Sequence, residues 1–356
     1  MPSLFDPIQV GELLLPNRIF MAPLTRLRGT ADHIPTPIIG EYYRQRASAG
    51  LIISEGTPID PMGVGYANVP GLWSEAQTEA WKPITDSVHR VGGRIFAQIW
   101  HVGRISDPTF LGGKLPVAPS AIAAAGHVSL LRPKRNYVTP RALETDEVKG
   151  VVEAFRRGAQ NAKAAGFDGV ELHGANGYLL DQFLQDGSNH RTDQYGGPIE
   201  NRARLLLEAT DAAISAFGAG RVGVHLAPRS DSQGVSDSNR PATFGYVARE
   251  LGQRKIAFIV AREHVAPDSL GPTLKQQFGG VFVANEGLDQ ATGQQLLDEG
   301  KADAVAYGKF FIANPDLPER FKLHAELNPL VLETIYAPGA LGYTDYPSLA
   351  RESAQV

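Results

Sequence analysis

Three side chains able to hold and protonate a small substrate fall within one short run, His173-Gly174-Ala175-Asn176-Gly177-Tyr178. Imidazole and carboxamide both donate hydrogen bonds without a fixed charge. Together they suit a carbonyl or nitro oxygen on which negative charge develops. A phenol beside them can deliver a proton from the side. A lone histidine is more often structural, but three hydrogen-bonding groups converging where the chain leaves a strand point to a site.

A second group of residues points to a phosphorylated ligand. Asn285 and Gly287 follow one apolar run, and Gly308 and Lys309 follow another. Barrel enzymes hold phosphate on backbone N–H groups of such late loops, where glycine allows close approach and a lysine adds a cation. Glycine after a strand is also ordinary turn chemistry. Thr25 and Gln98 are neutral hydrogen-bonding groups suited to a heterocycle with carbonyl and imide edges, although either alone reads more readily as a satisfied polar residue.

Glu55 and Glu263 raise a different chemistry, cofactor-free hydrolysis by paired carboxylates. That reading leaves the glycine loops and the His/Asn/Tyr group without a task. His101 and His173 have no third partner at metal-ligand spacing, so no metal is expected.

These groups are positioned by a repeated pattern of short β-rich runs and longer helical segments. The runs are residues 18–21, 51–54, 95–98, 169–172, 222–226, 257–260, 281–284 and 304–307. Helical patterns occupy 37–49, 75–91, 146–165, 200–217, 239–251, 270–278 and 290–299, with a last helix starting near Pro315. Eight alternations, without a GxGxxG after the first strand, predict an α/β fold of the (β/α)₈ TIM-barrel type. Residues 4–15 alternate around Gly11 and predict an N-terminal hairpin at the barrel floor. Residues 102–145, after the third strand, greatly exceed the roughly 2 to 6 residues of an ordinary connection and are expected to form a lid.

At 356 residues, 43% apolar and 20% charged, the chain is expected to form one barrel domain over 1–356. A net charge of -4 with no dense basic run argues against nucleic acid or anionic lipid and for small-molecule chemistry. The absence of cysteine excludes disulfides, thiolate catalysis and cysteine-ligated clusters. No leader and no stretch of about 18 apolar residues is evident, so a soluble cytoplasmic protein is expected, monomeric or homodimeric, with no membrane partner.

Several segments together resemble the Old Yellow Enzyme family of FMN-dependent ene-reductases. They are Asn17 through Arg26, Gln98-Ile99-Trp100-His101-Val102-Gly103-Arg104, His173 through Phe183, Asn189 through Gly197 with Glu200-Asn201-Arg202, Asn314 through Pro318, and Gly342 through Pro347. The resemblance implies bound FMN, with NADPH or NADH as reductant, and hydride transfer from flavin N5 to the β-carbon of an activated alkene. It places Ala22, Pro23, Leu24 and Thr25 along the flavin ring, Gly56 where the ring approaches, and Gln98 at its pyrimidine portion. His173 and Asn176 would hold the substrate oxygen, Tyr178 would protonate the α-carbon, and Tyr66, Trp100 and Tyr336 would shape the pocket. Three positions depart from the common pattern. His225 stands where many members place arginine, with Arg262, or else Arg229, expected to supply the missing charge beside the flavin. Glu286 stands near a common glycine position and is expected to turn away from the phosphate, and Lys309 replaces a common arginine. The alternatives left open are a cofactor-free barrel hydrolase and a barrel that binds a phosphorylated ligand without turnover.

Overall fold

The eight apolar runs become eight parallel strands, described here from a computed structural model covering residues 1–349. The strands in chain order are β1 (Ile8–Val10), β2 (Leu13–Leu15), β3 (Ile19–Met21), β4 (Leu51–Ile53), β5 (Thr57–Pro58), β6 (Ile95–Trp100), β7 (Val117–Ala118), β8 (Arg141–Ala142), β9 (Gly169–Gly174), β10 (Val222–Leu226), β11 (Phe258–Arg262), β12 (Val281–Asn285) and β13 (Ala304–Tyr307). The sheet runs β4-β3-β13-β12-β11-β10-β9-β6, and pairing of β4 with β6 closes it into a barrel, as the alternation predicts. β5 adds a short parallel flank to the end of β6.

Three strands run two residues past the ends of the predicted segments, and β12 runs one residue past, to Asn285. β6 continues to Trp100 because β5 pairs with its end, β9 to Gly174 against Leu226, and β11 to Arg262 against Asn285. Trp100, His173 and Arg262 therefore sit on paired strand ends and not on loops, which fixes their directions.

Inside the barrel, Phe20, Phe96, Phe258, Val260, Val283, Ala304 and Ala306 form one apolar cluster with Ile8, Val10, Leu13 and Leu15 of the β1–β2 hairpin. The alternation of the hairpin explains this: Leu14, on the other face, is 70% exposed. The predicted floor plug is thus present, and the Glu12 N–H donates to the Gly220 carbonyl just before β10. Gly11, at φ +53°, is needed there, since a Cβ would lie 2.1 Å from the Gly220 oxygen.

Outside, the opposite strand faces pack on amphipathic helices such as Glu75–His89, which carries a Ser74/Gln77 capping box, and Thr145–Ala164. The predicted helix over 200–217 is divided into Ile199–Arg202 and Arg204–Phe217. Two helices went unpredicted, Leu179–Leu184 and Lys309–Ala313, because each is too short to show a period. Residues 102–145 are mostly irregular, tied by the β7–β8 pair and a His127–Asn136 bridge. Their Val102, Ile105, Leu111, Val128 and Tyr137 pack with Val64, Tyr66 and Trp100.

Candidate active site

Side chains at alternate strand positions share a face, so register decides which groups meet in the barrel. Gln98 of β6 lies beside Glu171 of β9, and His173 of β9 beside His225 of β10, all four buried. Gln98 Nε2 donates to Glu171 Oε1 at 2.8 Å and lies 3.4 Å from His225 Nδ1. The rings of His225 and His173 stack, with centroids 5.5 Å apart. His225 Nε2 finds no partner among the described residues. Burial holds the His173 imidazole well below its ordinary pKa, and neighbouring His225 and Arg262 act in the same direction. His173 is therefore neutral at pH 7.

Tyr178 stands just before helix Leu179–Leu184. Its hydroxyl is 2.8 Å from that of Tyr66. Trp100 meets Tyr178 edge-on at 4.8 Å and stacks near-parallel on Tyr66 and His173 at 5.8 and 5.7 Å. Such aromatic pairs contribute about 1 kcal/mol each beyond area burial and hold the phenol rigidly. Enclosure among these rings, reinforced by Tyr66, raises the Tyr178 pKa well above its usual value, so the phenol keeps its proton at neutral pH. Gly56 makes this packing possible: a Cβ there would lie 2.6 Å from the Trp100 ring. Asn176 and Gly177, at φ +59° and +76°, turn the chain between His173 and Tyr178, and the Gly177 N–H donates to Asp181 Oδ2 at 2.9 Å.

The barrel mouth holds a cavity of about 650 Å³. Its wall unites Ala22, Pro23 and Leu24 after β3 with His173, Asn176, His225, Arg262, Asn285, Gly287, Gly308 and Lys309. Small residues at the ends of β3 and β13, Ala22, Ala306 and Gly308, are part of the cavity lining. The amides of Gly287, Leu288 and Gly308 donate to no backbone carbonyl among the described residues. Lys309, beside them, is exposed and makes no ion pair among the described residues.

The match to known proteins spans nearly the whole chain. Residues 3–328 fit the family model described as the NADH:flavin oxidoreductase / NADH oxidase family. The chain belongs to the Old Yellow Enzyme family of NADH:flavin oxidoreductases. Morphinone reductase in complex with tetrahydroNAD is 48% identical with a TM-score of 0.95, covering 98% of each chain. The old yellow enzyme homologue from Zymomonas mobilis is 47% identical with a TM-score of 0.94, covering 97% of this chain and 99% of that one. Among sequences, putative 12-oxophytodienoate reductase 2 of Oryza sativa subsp. japonica is 43% identical over 360 residues, covering 97% of this chain and 94% of its own. This member of the family is thus an NAD(P)H-dependent oxidoreductase acting on C=C bonds.

Within this Old Yellow Enzyme family member, Arg262 is not a free cation. Its Nη1 donates to Asn176 Oδ1 at 2.5 Å and its Nη2 to Glu286 Oε1 at 2.6 Å. Glu286 holds φ +93°, a backbone region that costs a residue with a Cβ on the order of 1 kcal/mol. Arg229, the other candidate cation, bonds the His264 carbonyl and Asp268 instead.

The two carboxylates of the hydrolase reading serve backbone amides. Buried Glu55 accepts from the N–H groups of Arg26 and Leu27 at 3.1 Å, and Glu263 from those of Leu270 and Gly271. Neither lines the mouth cavity.

Thr25, Gly56, Gln98, Tyr66, Trp100, Tyr178 and Tyr336 lie off the cavity wall, in layers beside or behind it. Tyr336 is 49% exposed. The segment that carries it is held by buried arginines: Arg26 and Arg28 both donate to the Ile335 carbonyl, Arg26 also to that of Gly342, and both guanidiniums lie against the Tyr343 ring. Sequence reasoning missed this clamp. Its one signal is the closely spaced pair Arg26 and Arg28.

Proposed function

We propose that the chain is an FMN-dependent ene-reductase that takes reducing equivalents from NADPH or NADH and reduces activated alkenes such as enones, nitroalkenes and maleimides. The fit to FMN rests on polar groups on and beside the wall of one cavity. The buried His225 Nε2 and the side chains of Gln98 and Thr25 suit the polar edges of an isoalloxazine. The amides of Gly287 and Gly308, which meet no backbone carbonyl among the described residues, suit a phosphate together with Lys309. Ala22, Pro23, Leu24 and Gly56 supply the apolar, close-packed side, and Asn285, whose Nδ2 bonds the Ala306 carbonyl, stiffens the loop. When bound, FMN would supply hydride-transfer chemistry, coupling oxidation of the nicotinamide to reduction of the alkene.

The chain's own residues do the rest. Neutral His173 and Asn176 donate to the carbonyl or nitro oxygen and stabilise the charge that develops there. Tyr178 gives its proton to the α-carbon, and Tyr66 orients the hydroxyl that gives it. Trp100, Tyr66 and Tyr336 bound the substrate side, with residues 102–145 as a lid that limits water access. The observation that carries this reading is the placement of His173 and Asn176 on one cavity wall with the Tyr178 ring 4.8 Å from that of His173.

Colour tests it. The purified protein should show flavin absorption, lose it on anaerobic addition of NADPH or NADH, and regain it with 2-cyclohexenone, N-ethylmaleimide or a nitrostyrene. Protein that gains no flavin absorption when FMN is added would sink the reading. Flavin that is retained but never bleached would favour ligand binding without turnover.

A further inference from the structure

An asparagine amide presents an acceptor oxygen on one side and a donor NH₂ on the other, two groups of similar size. Unrestrained, Asn176 offers either end to a substrate. A guanidinium has only donors, so the amide atom facing Arg262 Nη1 at 2.5 Å must be the oxygen. The NH₂ is then left for the cavity that Asn176 shares with His173. The direction of Arg262 is itself determined. It ends β11 two residues beyond Val260, which faces the barrel interior, so Arg262 also points inward, at the mouth. Its other terminal nitrogen is held by Glu286, whose carboxylate is returned toward β11 by two successive left-handed residues, Glu286 and Gly287. His264 Nε2 stands 3.7 Å from the same Glu286 oxygen on a side chain 72% exposed.

We propose that Arg262 and Glu286 are positioning residues for the substrate anchor: Glu286 holds the guanidinium, and the guanidinium fixes the Asn176 amide so that it and His173 both donate to one substrate oxygen. This rests on the ene-reductase reading. It assigns Arg262 to the substrate side, where sequence reasoning had expected a cation for the flavin. It also gives the anchor a preference: ligands presenting an acceptor there are favoured, and those presenting an N–H or O–H donor are not.

The test compares wild type with Arg262→Gln, Arg262→Lys, Glu286→Gln, Asn176→Ala and the Asn176→Ala/Arg262→Gln double variant. Two constants are read: that for FMN by fluorescence titration, and that for 2-cyclohexenone by perturbation of flavin absorption in the loaded enzyme. Glutamine lets the amide turn over, so Arg262→Gln should weaken the enone about tenfold, whereas Arg262→Lys, still donor only, should recover most of that affinity. Glu286→Gln should give an intermediate loss, and FMN affinity should stay within about threefold throughout. In the Asn176→Ala background, Arg262→Gln should add less than about twofold, because the two residues act as a unit. A fully additive loss in the double variant, or a loss confined to FMN affinity, overturns the proposal. Should Arg262→Gln fail to fold, Arg262→Lys and Glu286→Gln carry the same comparison. Wild-type protein that binds FMN yet does not reduce the enone overturns the underlying reading, an outcome separable from failure of the cycle.

Discussion

The hydroxyls of Tyr66 and Tyr178 lie 2.8 Å apart, in a hydrogen bond that either phenol can donate. Burial pushes the Tyr66 pKa up to about 12 and that of Tyr178 well above its usual value. Both phenols are therefore protonated across the neutral range, and Tyr66 can act on Tyr178 only by orienting it. Removing the Tyr178 hydroxyl should slow reoxidation of reduced enzyme by 2-cyclohexenone by roughly 10²-fold, within the range for a lost general acid. Tyr66→Phe should slow the same step by a smaller factor, about threefold to tenfold. Flavin reduction by NADPH should hardly change in either. Stopped-flow absorbance separates the two half-reactions, and a Tyr178→Phe enzyme reoxidised at the wild-type rate would remove this phenol from the mechanism.

The barrel was legible because burial of both faces of a parallel strand leaves near-continuous apolar runs, as in residues 222–226, and because the hairpin alternates. His173, Asn176 and Tyr178 stand out in the sequence because one turn carries all three groups within a few residues, and the structure brings them together at the barrel mouth. What stayed hidden depends on register between strands distant in sequence. Arg262 is 86 residues from Asn176 and 24 from Glu286, and only the β11–β12 pairing brings the last two strand ends level. Gln98 and Glu171 meet for the same reason, across 73 residues. The arginine clamp on the Tyr336 segment spans more than 300 residues between Arg26 and Ile335, a contact no local pattern encodes.

Gly56 has a packing requirement that a single methyl should expose. In Gly56→Ala the new Cβ meets the Trp100 ring at 2.6 Å, and that ring is wedged between Tyr66, Tyr178 and His173. Overpacking of this kind costs about 1–3 kcal/mol. Thermal unfolding should report a lower Tm, and enone affinity should fall along with it as His173 is displaced. A variant with wild-type Tm and wild-type enone affinity would mean that Trp100 is free to move.

Glu55 makes the fold's stability depend on pH. Burial, opposed by the Arg26 and Leu27 amides and the nearby guanidiniums, raises its pKa from 4.5 to about 7. Between those values the folded protein binds a proton that the unfolded chain has released. Stability from this group is therefore fully present below about pH 4.5 and is lost as pH rises through about 7, at up to roughly 1.4 kcal/mol per pH unit. Glutamine carries no proton to lose, so Glu55→Gln should flatten the decline in denaturant midpoint between pH 5 and pH 8. An unchanged slope in the variant would assign the pH dependence to other groups.

Substitution of Lys309 should distinguish recognition of the phosphate from recognition of the rest of the cofactor. It is exposed, and an exposed charge is screened, so its contribution to FMN binding should be modest, about 1 kcal/mol or a few-fold in Kd. The amides of Gly287 and Gly308 remain in Lys309→Gln, which should weaken FMN by that small factor and reduce the dependence of Kd on salt. Riboflavin, which has the ring but no phosphate, should bind both proteins equally. Fluorescence titrations of both ligands at low and high salt decide the point: an equal loss for riboflavin would place Lys309 against the ring system and leave phosphate recognition to the backbone alone.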